Sequence, residues 1–122
     1  MADRLLCISW REVVRGREER AIEVFNETVG MYGRKVQEGK LERFDVRLLA
    51  PSTGIDGYME LEGSAAQLAA LKEDAEYLRA MTDAQLVVND LRVADGYCNQ
   101  GVADQMALYA EAIARVARAT TA

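Results

Sequence analysis

Arg4-Leu5-Leu6-Cys7-Ile8-Ser9-Trp10-Arg11-Glu12-Val13-Val14 is the stretch on which the fold turns. In an extended strand side chains alternate between two faces, and here both alternating sets are largely apolar: Leu6, Ile8 and Trp10 on one, Leu5 and Cys7 on the other. A strand covered on both faces belongs in the middle of a sheet, so residues 4–14 are predicted to form a central strand. The charged cluster from Arg15 to Arg20, around Gly16, ends it.

The rest of the chain supplies its neighbours. Residues 17–38 repeat Ile22, Phe25, Val29, Tyr32 and Val36 at steps of three and four, which predicts a helix with one apolar stripe. Glu18 and Glu19 near its start and Arg34 and Lys35 near its end suit the helix dipole, and Gly39 is a natural stop. Gly30 and Gly33 inside the pattern predict a close contact or a bend. Residues 41–49 alternate, with Phe44, Val46 and Leu48 facing a core and Arg43, Asp45 and Arg47 facing away. Pro51-Ser52-Thr53-Gly54 reads as a turn into a partner strand over 55–62, whose Glu60 and Glu62 are expected to face Arg43 and Arg47. Ser64-Ala65-Ala66-Gln67 fits a capping box for a helix carrying Leu68, Leu71, Ala75 and Leu78, with a break near Lys72-Glu73-Asp74 and resumption to about Val88. After the turn signal Asn89-Asp90, residues 91–97 form a fourth strand with Leu91, Val93 and Tyr97 on one side. Met106, Tyr109, Ile113 and Val116 mark an amphipathic C-terminal helix, and Ala119 to Ala122 a frayed tail.

The order β-α-β-β-α-β-α describes one α+β domain over residues 1–122. Right-handed crossovers put the first two helices on one side of an antiparallel sheet with strand order 4-1-3-2, the ferredoxin-like arrangement. The opposite face would carry Leu5, Cys7 and part of Leu6, Ile8 and Trp10, too much apolar surface to leave in water. Either the C-terminal helix of the same chain or the sheet of a second copy, with that helix docking across the pair, must cover it. The second copy is favoured: a homodimer with Arg43, Asp45 and Arg47 lining a partly wet interface.

Composition excludes several functions. A net charge of −5 repels phosphate backbones and anionic lipid, so neither nucleic acid nor membrane is an expected partner. The first apolar run is too short and too soon charged for a signal peptide, and a cytoplasmic location is expected. There is no histidine, which removes the commonest general base and metal ligand together. Two cysteines are too few for a disulfide scaffold and match no zinc spacing.

In its element order, and in Asp74-Ala75-Glu76-Tyr77-Leu78-Arg79 and Asn89-Asp90-Leu91-Arg92-Val93, the chain resembles the dimeric α+β barrel superfamily over roughly residues 4–98. That group contains the antibiotic-biosynthesis-type monooxygenases. The resemblance implies two sheets joined in a barrel across a dimer, and small ligands in a cleft between sheet and helices. Relatives include cofactor-independent oxygenases, haem degraders, isomerases and proteins of no known activity. Haem degraders use a histidine ligand, which this chain lacks.

A cofactor-free oxygenase needs a dry aromatic pocket and polar groups to stabilise a substrate anion. Trp10, Phe25, Tyr32, Tyr58 and Tyr97 are the aromatic supply; Asn26, Arg47 and Arg92 are the polar supply. The candidate pocket is therefore Trp10, Asn26, Arg47, Tyr58, Arg92 and Tyr97, with no cofactor and no metal. Plain packing is the competing reading for Phe25 and Tyr32, which lie on the helix stripe. Cys7 and Cys98 are expected to be neighbours, as a redox pair or as ordinary reduced thiols. The function expected is small-molecule binding by a dimeric barrel, extending to a monooxygenase or isomerase acting on an aromatic, polyketide-like substrate. The alternative is a non-catalytic interaction homodimer. A cavity of roughly 300 Å³ or more between sheet and helices separates the two.

Overall fold

Leu6 and Ile8 are buried, and the strand that carries them, β1 (Arg4–Trp10), has a hydrogen-bonded neighbour on each side. The computed structural model describes residues 1–50 and 54–121; the expected turn at Pro51-Ser52-Thr53 lies outside the described residues. β1 pairs antiparallel with β4 (Gly57–Gly63) and with β6 (Arg92–Tyr97), and β3 (Arg43–Leu48) closes the sheet beyond β4. The order β3-β4-β1-β6 is the ferredoxin-like order expected, with the two-sided apolar strand in the centre.

β1 is shorter than predicted. It leaves the sheet after Trp10, and Glu12–Val13 form a separate two-residue strand, β2, paired with β5 (Val88–Asn89). The amide of Arg11 donates to the Asn89 carbonyl and that of Val14 to the Val87 carbonyl, so this ribbon stands above the end of the main sheet.

Helix α1 (Glu18–Gln37) runs unbroken, with acidic residues in its first turn and basic residues in its last. Gly39 follows it at φ +75°, the left-handed conformation that glycine adopts without strain. The close contact expected at Gly30 is absent, and Gly33 meets only Phe44 at ordinary distance. The buried face is rotated from the predicted stripe: Val24, Met31, Tyr32 and Lys35 are buried, whereas Ile22 is 62% exposed.

The break predicted near Lys72-Glu73-Asp74 is real. Ser64 and Gln67 form the capping box that starts α2 (Ala65–Glu73), and α3 (Ala75–Gln85) begins one residue after α2 stops. Asp74 is the hinge. Its carboxylate accepts the amides of Glu76 and Tyr77 and an ammonium hydrogen of Lys35 at 3.1 Å. Lys35, which the sequence offers only as a charge suited to the end of the helix dipole, is 3% exposed, and its second anion is Glu76 at 3.5 Å. Burial pushes the Asp74 carboxyl up, but Lys35 and the two amides outweigh it and hold it below its ordinary value. A carboxyl lowered on folding stabilises the protein above its unfolded pKa and loses that contribution as pH falls through the folded one. The Asp74 contribution is therefore present at neutral pH and disappears below about pH 4. Asp74→Ala is expected to cost about 2 kcal/mol at pH 7, about half from the lost cap and half from the poorly paired Lys35. Asp74→Asn, which keeps a capping oxygen, is expected to cost about half as much. Urea unfolding of both at pH 7 and at about pH 2.5 checks this: the wild type and Asp74→Asn converge at the lower pH, whereas Asp74→Ala stays below them by the lost cap.

Alternation along the strands sorts the sheet's two faces. Leu6, Ile8, Trp10, Met59, Leu61, Phe44 and Val46 face the helices and make the core with Met31, Tyr32, Leu41, Leu68, Leu71 and Tyr77. The opposite face carries Leu5, Cys7 and Ser9, then Tyr58, Glu60 and Glu62, then Arg43, Asp45 and Arg47, with Arg92, Ala94 and Gly96 at the far edge. It is more polar than expected, because Leu6, Ile8 and Trp10 share one parity and go under the helices. Arg43 faces Glu62 as predicted. Glu60, however, faces Asp45, and Arg47 faces Tyr58; Arg43 and Arg47 both reach Asp45, at 2.9 and 3.8 Å.

The C-terminal helix α4 (Gln100–Thr121) touches its own sheet at β6 and, beyond its root, stands clear of it. It is held at its root. Asn99, at φ +52°, donates its side-chain amide to the Ala2 carbonyl, the Cys98 amide donates to the Asp3 carbonyl, and Gly101 is buried against Asp3. Residues 119–121, expected to fray, continue the helix. From Val102 to Ala119 every residue except Ala112 is exposed, Met106, Tyr109 and Ile113 among them. No helix among the described residues is long and apolar enough to cross a membrane.

Candidate functional site

Trp10 ends β1 opposite Gly57, the first residue of β4, and its ring lies where a side chain on Gly57 would stand: a Cβ there would be 2.6 Å from the indole and 2.8 Å from the Arg47 carbonyl oxygen. The indole meets Phe25 of α1 edge to face, at 6.4 Å between centroids and 72° between planes. These two rings form one wall of a cavity of about 420 Å³ between the sheet, α1, α3 and the β2–β5 ribbon. Ile8, Met59 and Leu48 continue the sheet side, Ala80, Met81 and Ala84 the α3 side, and Val13, Val87, Val88 and Leu91 the ribbon side. Ile22 and Leu48, 62% and 68% exposed, stand at its rim.

Sheet and helices leave this space because α3 presents Ala80 and Ala84 toward it. The arrangement is chemically spare. Among the described residues that line it there is no Lys or Arg. Glu18, the lining carboxylate, already accepts the Gly16 amide at 2.6 Å. The guanidinium of Arg17 donates to the Leu86 carbonyl, tying the start of α1 to the end of α3. Thr28 and Tyr32 supply the hydroxyls. Tyr32 is 0% exposed, and its hydroxyl has no hydrogen-bond partner among the described residues. Burial, with Tyr77 nearby, pushes its phenol well above the ordinary range, so it stays protonated and is no base. Tyr32→Phe is expected to raise stability by about 1 kcal/mol, because it removes a desolvated hydroxyl that gains nothing in return. A higher urea midpoint at unchanged slope is the expected reading; a lower one would show that the hydroxyl has a partner.

The six pocket residues predicted from sequence are not brought together. Trp10 lines the cavity. Asn26 is on the exposed side of α1. Arg47, Tyr58 and Arg92 point from the opposite face of the sheet, since each pairs in register with a residue of the Leu5-Cys7-Ser9 face or continues its row. Tyr97 faces the helix side but at the other end of the sheet, stacked under the Arg4 guanidinium at 4.9 Å. It borders a second hollow, of about 460 Å³ beneath α2, together with Lys72 and Asp95, which are ion-paired at 2.6 Å. The residues missed, Met59, Met81, Ala80 and Ala84, had a signal: inward parity of Met59 in its strand, and small residues one turn apart in α3.

The cysteines are not a pair. Cys7 lies opposite Ala94, whereas Cys98 lies beyond the end of β6 with its amide on Asp3, some four residues or about 13 Å along the strand. That exceeds any disulfide span. Burial pushes both thiols up, with Glu60 beside Cys7 and Glu62 beside Cys98 adding to it. Among the described residues no group of three His, Cys, Asp or Glu side chains could hold a metal ion.

No protein-family model matches the sequence, and no curated protein matches it. Solved structures match the fold. A hydroxynitrile lyase from Passiflora edulis superposes with a TM-score of 0.63 at 12% identity, over 80% of this chain and 94% of that one. A cofactor-independent oxygenase from Streptomyces nogalater superposes with 0.57 at 12%, over 80% and 93%. A dimeric ferredoxin-like protein of unknown function from Jannaschia gives 0.61 at 14%, over 77% and 97%. At these identities the likeness is one of fold.

Proposed function

We propose that this protein binds a small, uncharged, largely apolar molecule in the cavity between its sheet and helices α1 and α3, and that it does so as a homodimer. The carrying observation is the cavity itself: about 420 Å³, walled by Trp10, Phe25, Met59 and Met81, with no cation among its described lining residues. Its size falls within the range of small-molecule sites and exceeds the roughly 300 Å³ that separates a binding protein from one with a filled interior. Similar folds described as an oxygenase and a lyase lend support to a ligand-binding role.

A cofactor-independent monooxygenase or isomerase acting on an aromatic, polyketide-like substrate is the finer form of this reading. Its aromatic requirement is met by Trp10 and Phe25. Its anion-stabilising requirement rests on the hydroxyl of Thr28, because the Tyr32 hydroxyl is sealed in the core and Asn26, Arg47 and Arg92 lie elsewhere. Binding is therefore the better supported role. Homodimerisation is supported by the mixed-sign outer face, where Arg43 and Arg47 stand beside Asp45, Glu60 and Glu62, and by the description of similar folds as dimeric.

Trp10 is the only tryptophan of the chain, so its fluorescence reports on the cavity directly. Titration with the neutral probe N-phenyl-1-naphthylamine is expected to quench Trp10 by energy transfer with saturation at one probe per chain. 8-Anilino-1-naphthalenesulfonate, the same ring system carrying a sulfonate, is expected to bind at least tenfold more weakly, for want of a cation in the wall. Saturable binding of neither would overturn the reading.

A further inference from the structure

We infer that α4 of a second copy lies across the mouth of this cavity and completes it; the inference rests on the cavity being the binding site. Two unsatisfied surfaces on one chain carry it. The cavity opens to solvent between Ile22 and Leu48, both more than half exposed. Helix α4 displays Val102, Met106, Tyr109 and Ile113 at steps of four, three and four, one apolar stripe with Leu108 at its flank, all exposed.

Within one chain these two surfaces do not meet. β6 runs antiparallel to β1, so Arg92 is level with Ser9 near the cavity, while Tyr97 is level with Arg4 at the other end. α4 starts from that other end, and its root is fixed by Asn99 on Ala2 and by the buried Gly101. In a dimer whose two-fold axis lies across the strands, the lower end of one sheet would sit beside the upper end of its mate. That symmetry carries each α4, about 33 Å long, toward the other copy's cavity.

The area is sufficient. Five side chains about half exposed offer on the order of 250 Å² of apolar surface. Matched by the surface that receives it, and doubled by the symmetry, this approaches roughly 1,000 Å², the lower range of a specific interface. The stripe would close the cavity with apolar atoms and leave the ligand dry, in keeping with walls that carry no cation.

The test uses the full-length chain and the double substitution Met106→Glu, Ile113→Glu, at positions whose exposure leaves the protomer fold intact. Without any ligand, acrylamide quenching of Trp10 is expected to rise at least twofold over the wild-type protein. Unchanged quenching, or a wild-type protein that sediments as a single protomer, overturns the inference whether or not N-phenyl-1-naphthylamine binds. If the wild-type protein binds no probe but quenching rises, the binding reading fails and the docking of α4 stands. For the shared site, the double variant is refolded together with Ala80→Phe, Ala84→Phe, whose cavity is filled. Neither variant alone is expected to bind the probe, whereas random pairing restores about a quarter of the sites, each an intact cavity closed by an intact helix from the other copy. No recovery, with the wild-type protein binding normally, places the closing helix in the same chain or elsewhere and overturns the inference.

Discussion

Gly101→Ala is expected to cost about 3 kcal/mol and to lower Tm by roughly 10 °C. In most helices the same change is favourable by about 1 kcal/mol, because alanine loses less backbone entropy and has the higher helix propensity. Here the sign reverses. A Cβ on Gly101 would overlap the carbonyl of Asp3, a backbone group with no rotamer by which to yield. Either the N-terminal segment moves, breaking the bonds from Cys98 and Asn99 to Asp3 and Ala2, or α4 tilts at its root. Calorimetry distinguishes this from an ordinary helix position. Gly30→Ala, in α1 with open space around its Cβ, is the matched control and is expected to be neutral or stabilising.

Gly57→Ala is expected to cost about 2 to 3 kcal/mol and to disturb the cavity at the same time. Its Cβ would stand 2.6 Å from the Trp10 ring and 2.8 Å from the Arg47 carbonyl. The indole must swing to clear one overlap, and the β3–β4 ladder must part at Gly57 to clear the other. A red shift of Trp10 emission is expected together with the loss in urea midpoint. A stability loss without a spectral change would mean that the strand, not the ring, gave way.

These two glycines show where sequence reading stops. Residues 4–10 announce a central strand because Leu5 and Cys7 are apolar as well as Leu6 and Ile8, and pairing on both sides agrees. The hinge at Asp74 is legible from three charges interrupting an apolar pattern. A residue's importance through a close approach is not legible, because the Asp3 carbonyl and the Trp10 ring come from nearly a hundred and nearly fifty residues away. The six predicted site residues failed for another reason, which was legible. With Met59 and Leu61 inward, Tyr58 must face outward, and Arg47 follows by the same alternation. The apolar excess expected on the outer sheet face proved to be on α4 instead, since Leu6, Ile8 and Trp10 all turn toward the helices.

Strand β1 has a history as well as a position. Its two partners, Gly57–Gly63 and Arg92–Tyr97, are translated some fifty and eighty-five residues after it. At ribosomal speeds of about 5–20 residues per second, the greasiest extended segment waits several seconds with both edges bare. Nascent chains of this protein should therefore lean on holdase chaperones until β6 emerges, and a circular permutant that begins at β4 would shorten that vulnerable interval.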